Sequence, residues 1–310
     1  EARLHYAALG RADAPALICL HGFPEYWAGF RDIMPLLAER FRVYAPDQRG
    51  YNLSFKPKGV EAYAARHLVG DIARLIDHVS PNRPVLLFGH DWGASVAYAY
   101  AFRHPERLSG LIIANGIHPV TFQRALLYDE GQREASYYIP RLRKPGVEAA
   151  LEEDDYARTF NMIGGFSSSD WLSEDVKQGY RDAWSQPGAM EAMVNWYRAS
   201  PLVVPTKDTE KAEIERQAER LLDIPAEHVT VRVPHLVVWG VDDAALKDVC
   251  LNRLGDFAAD LEIPAIAVEH LGEHLRPPPQ RPPPQRLALS MRLPILGSPL
   301  EASSTEQPAG

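Results

Sequence analysis

The sequence predicts an α/β fold: a mostly parallel sheet flanked by helices, with a helical cap inserted late in the alternation. Three observations carry this. Over residues 1–118, short uninterrupted apolar runs alternate with amphipathic ones. Over 119–229 the pattern turns to helical stretches rich in Tyr, Trp, Arg and Glu. A buried-strand run, PHLVVWG, then returns at 234–240. Apolar runs without polar alternation are strands covered on both faces, as in a parallel sheet between two helical layers.

In chain order, residues 4–9 read as a strand and 15–20 (PALICL) as a buried one. A helix is expected over about 29–40, then a strand at 41–45 (FRVYA). Leu68, Ile72, Leu75, Ile76 and Val79 recur at helical spacing and mark one apolar face. Residues 84–88 (PVLLF) form a strand that runs into a Gly-flanked turn and a small-residue helix over 94–102. A strand at 108–114 (LSGLIIA) precedes the cap. After PHLVVWG the pattern predicts a helix to about residue 259 and a strand-like run at 261–268. Beyond His274 the string LRPPPQRPPPQR opens a segment that cannot continue a helix or a central strand. The expected organisation is a core of 1–118 and 230–275, a cap of 119–229, and an extended or disordered tail of 276–310.

Composition narrows the functional classes. The 310 residues are 46% hydrophobic and 24% charged, with formal net charge -8. A dispersed acidic balance argues against nucleic acid and anionic membranes as partners. The apolar runs are too short for a transmembrane helix, which needs about 18 residues or more. Cys19 and Cys250 are the only cysteines, too few for a disulfide framework or a metal cluster. They fit a reducing, cytoplasmic setting. The chain begins at Glu1, so nothing follows from the lack of a leader.

The most informative string is PVLLFGHDWGAS, 84–95. Gly89 and Gly93 flank Asp91 two residues away on each side, at a strand-to-helix junction. A tight turn there lifts the side chain clear of the sheet. The helix N-terminus then favours its anionic form. Asp91 is therefore the candidate nucleophile, against the plainer reading of a helix-capping Asp. A second string, HGFPEYW at 21–27, follows a buried strand. The backbone N–H groups of Phe23 and Trp92 could together form an oxyanion hole. Ser95 falls inside the elbow helix, not at its apex. His90 reads as packing beside the elbow, and His118, His228 and His235 lack partners at any ligand spacing. The run Glu152, Glu153, Asp154 and Asp155 reads as a solvated face.

These strings, with DQRGYNLS (47–54), NWYR (195–198) and WGVDD (239–243), resemble the epoxide hydrolases of the α/β-hydrolase family over about residues 2–275. The resemblance implies an alkyl-enzyme ester on Asp91 that a His–acid pair then hydrolyses. It implies two cap tyrosines that protonate the epoxide oxygen. NWYR gives Tyr197; the other is Tyr138, with Tyr137 one position away. The Trp-Gly-x-x-Asp spacing selects Asp243 over Asp242 as the acid. The histidine should follow the last strand, which leaves His274 and His270; the expected residue is His274. The resemblance implies no cofactor or metal, and a small apolar epoxide and water as partners. A haloalkane dehalogenase with the same nucleophile is the alternative, since the Trp92 indole could bind halide. A hydrolase scaffold with impaired catalysis or a purely binding role is another.

Overall fold

The computed structural model describes residues 2–165, 171–206, 209–263, 265–266 and 287–293. Its sheet comprises β1 (Ala2–Leu9), β2 (Ala16–Leu20), β3 (Arg42–Pro46), β4 (Val85–His90), β5 (Leu108–Ala114), β6 (His235–Gly240), β7 (Leu261–Glu262), β8 (Ala265–Ile266) and β9 (Leu287–Leu293). The spatial order is β7-β6-β5-β4-β2-β3-β1-β9, with β8 also paired to β6. Pairings from β3 across to β7 and β8 are parallel, and β1 runs antiparallel to β3 and β9. The central strands are continuous because their residues are apolar on both faces: all five residues of β2 are buried.

Two helices of the core decide where the site lies. In α2 (Ala65–Val79), Leu68, Val69, Ile72, Leu75 and Ile76 form the buried stripe that the 3.6-residue period requires. In α3 (Trp92–Arg103), the small buried residues Gly93, Ala94, Ala97 and Ala101 let the helix lie close to the sheet, while Val96, Tyr98 and Tyr100 are buried beside them. The chain passes from β2 outward to β3 and returns through α2 to β4 on the other side of β2. A ligand crevice forms at such a reversal, beyond the carboxyl ends of the strands. Leu20 pairs with Gly89, so the loops after β2 and β4 emerge side by side.

Among the described residues, seven helices stand between β5 and β6: α4 (Pro119–Tyr128), α5 (Glu130–Ala135), α6 (Tyr138–Leu142), α7 (Val147–Gly165), α8 (Glu174–Trp184), α9 (Ala189–Ala199) and α10 (Lys211–Leu222). A short helix, α1 (Met34–Leu37), lies between β2 and β3. The insertion leaves and returns through one neck. His118 Nε2 donates to the carbonyl of Val229 at 2.7 Å, its Nδ1 accepts from Val120 N–H, and its ring stacks on Phe257. Two indoles tie the insertion to the core: Trp184 Nε1 donates to Pro24 O at 2.7 Å and Trp196 Nε1 to Arg49 O at 3.0 Å. Glu152 to Asp155 are exposed at a turn within α7, where Asp154, Asp155 and Tyr156 have positive φ.

Three expectations change. The single helix over 29–40 is a 3-10 turn at Trp27–Phe30 and the short α1. Pro35 stands in the first turn of α1; it has no N–H to bond backward, so a helix begins there more readily than it passes through. The helix expected up to residue 259 is replaced by 3-10 turns at Asp248–Leu251 and Leu254–Phe257, with Arg253 at φ 64 between them. Within the tail assigned to 276–310, residues 287–293 form β9, an ordered edge strand paired with β1 from Ala2↔Leu293 to Ala8↔Leu287.

Candidate active site

Asp91 follows β4 and stands at the N-cap position of α3 with φ 50 and ψ -121, a conformation a non-glycine residue adopts only under constraint. The constraint is close packing. A Cβ on Gly93 would sit 2.0 Å from Leu20 O, and one on Gly22 would sit 2.3 Å from the Asp91 carboxylate. Only hydrogen at both positions lets the two loops approach this closely. Phe23 N–H donates to Asp91 Oδ1 at 2.8 Å, and the N–H of Trp92 also bonds to the carboxylate. Desolvation raises the Asp91 pKa, while the charge of His90 and these two N–H groups oppose the rise without cancelling it.

The loop after β3 braces this arrangement. Asp47 is fully buried; it accepts from Trp27 N–H at 3.0 Å and Asn52 Nδ2 at 2.9 Å, and its Oδ2 lies 2.5 Å from His5 Nδ1. Gln48 holds the loop after β2 twice, through Nε2 to His21 O at 2.6 Å and through its backbone N–H to His21 Nε2 at 3.1 Å. Since Nε2 accepts, the ring proton is on Nδ1, which donates to Gly22 O at 2.9 Å. Burial lowers the His21 pKa, so this imidazole is a neutral strut and not a base.

A small pocket, open at its mouth, lies over Asp91. Its floor is Asp91, Trp92 and Ser95, and its apolar walls include Ile117, Phe122 and Leu246. Tyr138, from the first position of α6, and Tyr197, from α9, face into it; Tyr137 does not line it. The two tyrosine rings are 6.2 Å apart, and the Tyr197 ring meets those of Phe23 and Trp92 at 5.0 and 5.1 Å. Burial, with the negative charge of Asp91 added, pushes both phenols above their ordinary pKa. Both therefore hold their protons. Tyr197 also hydrogen-bonds the Trp92 side chain. An indole N–H can only donate, so the Tyr197 oxygen is the acceptor and its own proton is free to point elsewhere.

Asp243 follows β6. It is half-buried, whereas Asp242 is exposed. Its Oδ1 accepts from Ala245 and Leu246 N–H at 2.8 and 2.9 Å, and its Oδ2 accepts from Asn115 Nδ2 at 2.5 Å. Oδ1 is thereby filled, and Oδ2 keeps one lone-pair direction for a further donor. His274 and His270 lie outside the described residues.

Two residues of the site carry roles that sequence reasoning did not assign. Asn115, at φ 37, joins three strand ends: its carbonyl accepts from Asp91 N–H, its Oδ1 from Gly240 N–H, and its Nδ2 holds Asp243. The signal available was an Asn-Gly pair closing a buried strand, since Asn tolerates left-handed backbone. Glu25, within HGFPEYW, lies 3.2 Å from His90 Nδ1. Partial burial disfavours the imidazolium, but the Glu25 hydrogen bond and the charges of Glu25, Asp91 and Asp243 push the His90 pKa up to about 9. Burial likewise opposes ionisation of Glu25, and His90 more than offsets it, so Glu25 titrates below the usual range. The raised pKa makes His90 a cation beside Asp91 rather than only a packing residue. His118 and His235 are buried and held near pKa 4 by desolvation, as core histidines. Among the described residues no helix is long and apolar enough to cross a membrane, and no cluster of His, Cys, Asp or Glu could hold a metal.

Residues 15–247 match the family described as alpha/beta hydrolase fold. The AB hydrolase superfamily protein YfhM of Bacillus subtilis (strain 168) is 39% identical over 79% of this chain and 79% of its own length. Epoxide hydrolase 1 of Caenorhabditis elegans is 29% identical over 79% of this chain, which spans 57% of that longer protein. Among solved structures, the Bacillus megaterium epoxide hydrolase in complex with an inhibitor superposes with a TM-score of 0.75 at 30% identity, covering 85% of this chain and 88% of that one.

Proposed function

Because the chain belongs to the α/β-hydrolase family, we propose that this hydrolase opens small apolar epoxides to vicinal diols through an ester on Asp91. The observation that carries the reading is the pair of protonated tyrosines, Tyr138 and Tyr197, above a carboxylate on a nucleophile elbow. The epoxide hydrolases among the relatives and solved structures support it. An Asp91 oxygen attacks an epoxide carbon, the C–O bond breaks, and the ring oxygen leaves as an alkoxide that takes a tyrosine proton. The Trp92 indole bonded to Tyr197 stabilises the phenolate left behind. Water then adds to the ester carbonyl. The oxyanion develops beside the N–H of Phe23, which donates to Asp91 Oδ1, with the Trp92 N–H also directed at the carboxylate. His274 or His270 would take the proton from that water, oriented through the remaining acceptor direction of Asp243. The tetrahedral adduct then collapses and its ester C–O bond breaks. The diol oxygen takes the adduct's hydroxyl proton to restore the Asp91 carboxylate, and the histidine proton returns through solvent to the tyrosine phenolate. Water is the only second substrate, so no cofactor is required. The helical insertion acts as the cap, and the cytoplasm is the proposed location, with buried unpaired Cys19 and Cys250 in support.

The dehalogenase reading is the weaker one, because a departing halide needs no proton donor, whereas two tyrosines, Tyr138 and Tyr197, line the cavity over Asp91. The test is sustained diol release from styrene oxide, with Asp91→Asn as control and mass spectrometry of the protein for the ester. Release that disappears in the control supports the cycle. Replacing Tyr138 and Tyr197 together with Phe should slow ester formation by roughly 10²- to 10⁴-fold. An undiminished rate in that double variant would remove the epoxide-opening role.

A further inference from the structure

Gln132, on α5, touches none of the reacting groups, yet it is fully buried and every hydrogen-bonding direction of its amide is used. Nε2 donates to Ser136 Oγ at 2.9 Å and to Ala245 O at 2.8 Å. Oε1 accepts from Lys247 N–H at 2.7 Å and from Cys250 Sγ at 3.0 Å. One side chain of the insertion thus grips the turn after β6 at three points more than a hundred residues away in sequence. That turn is the one that fixes Asp243: Ala245 offers its N–H to Asp243 Oδ1 and its carbonyl to Gln132. Leu246, the next residue, lines the cavity.

The other branch runs toward the tyrosine. Ser136 is fully buried, and its carbonyl accepts from Ile139 N–H at 3.0 Å in the first turn of α6, which carries Tyr138. We propose that Gln132 is a positioning residue that holds Tyr138 and Asp243 in one frame, so that the group for ester formation and the group for ester hydrolysis keep fixed places over Asp91. This rests on the epoxide-opening reading above. A purely cohesive amide would lend stability alone. A positioning amide also sets two chemical steps that otherwise share no residue of the insertion.

Gln132→Met keeps the length and removes both donors. Ester formation and ester hydrolysis are measured separately in single-turnover experiments, with urea unfolding alongside. Both rates are expected to fall by about 10- to 100-fold, the scale of a misplacement near 1 Å. Tyr138→Phe should slow only formation, and Asp243→Asn only hydrolysis. Ser136→Ala is the milder variant, should Gln132→Met fail to fold. It cuts only the branch toward α6 and is expected to slow formation alone by about 10-fold. Folded variants with lower stability but both rates within about twofold of the unsubstituted protein would overturn the positioning role and leave the proposed reaction standing. No ester on the unsubstituted protein would instead overturn the reaction, and this inference with it.

Discussion

Residues in this site act through their charge state as much as through their reach. His90 stands next to Asp91 in the chain, paired with Glu25, and it titrates near 9. Below that pH its positive charge holds the Asp91 pKa down against desolvation. Removing the charge in His90→Gln should raise the Asp91 pKa, so the acidic limb of the ester-formation profile moves to higher pH. Single-turnover rates across pH 4–9 check this, and an unmoved limb would exclude the electrostatic role. At this scale the sequence was most legible where chemistry is local. Asp91, Phe23 and Trp92 fall within two strings because a strained turn and a close approach each need particular neighbours. Asn115, Gln132 and the Glu25–His90 pair were not legible. Their partners lie 125, 113 and 65 residues away, and only the fold brings them within bonding distance.

Among the elements, those set by burial on both faces were readable and those set by termination were not. Strands β2, β4, β5 and β6 fall within two residues of the apolar runs that announce them. The helix over 29–40 failed at Pro35, and the segment after β6 failed because Asp243 draws the backbone N–H groups of Ala245 and Leu246 into a capped turn. The orientation of the insertion also depends on hydrogen bonds at element ends. Trp184 and Trp196, both almost fully buried, donate to Pro24 and Arg49 carbonyls in the loops after β2 and β3. Replacing either with Phe keeps an aromatic ring and strands a buried carbonyl, at about 1–3 kcal/mol each. Urea midpoints should fall accordingly. The double variant should lose the sum if the anchors are independent, and less if loosening one releases the other.

The whole molecule should be most stable near pH 6.5. Burial lowers the pKa of His21, His118 and His235, the last two to about 4. The unfolded chain therefore binds protons that the folded one does not as pH falls from about 6.5 to about 4, and stability falls with it. His90 has the opposite sign. Its folded pKa is raised to about 9, so its contribution is complete below about 6.5 and is lost as pH rises through 9. Melting temperatures from pH 4 to 10 should trace a dome. His235→Gln should flatten the acid side and Glu25→Gln the alkaline side; a dome unchanged in both would refute these assignments.

The neck at His118 and Val229 has a consequence for inheritance. A chain that leaves the sheet and re-enters it at one clasp, 111 residues later, leaves the sheet indifferent to what lies between. Doubling such a loop adds only about 0.6 kcal/mol to the entropy of closing it. Asp91 and the Phe23 N–H that holds it belong to the part that stays; Phe122, Tyr138 and Tyr197, which line the cavity above Asp91, belong to the part that can be exchanged. Recombination at these two positions would pass on the proposed reaction while rewriting the molecules admitted to it.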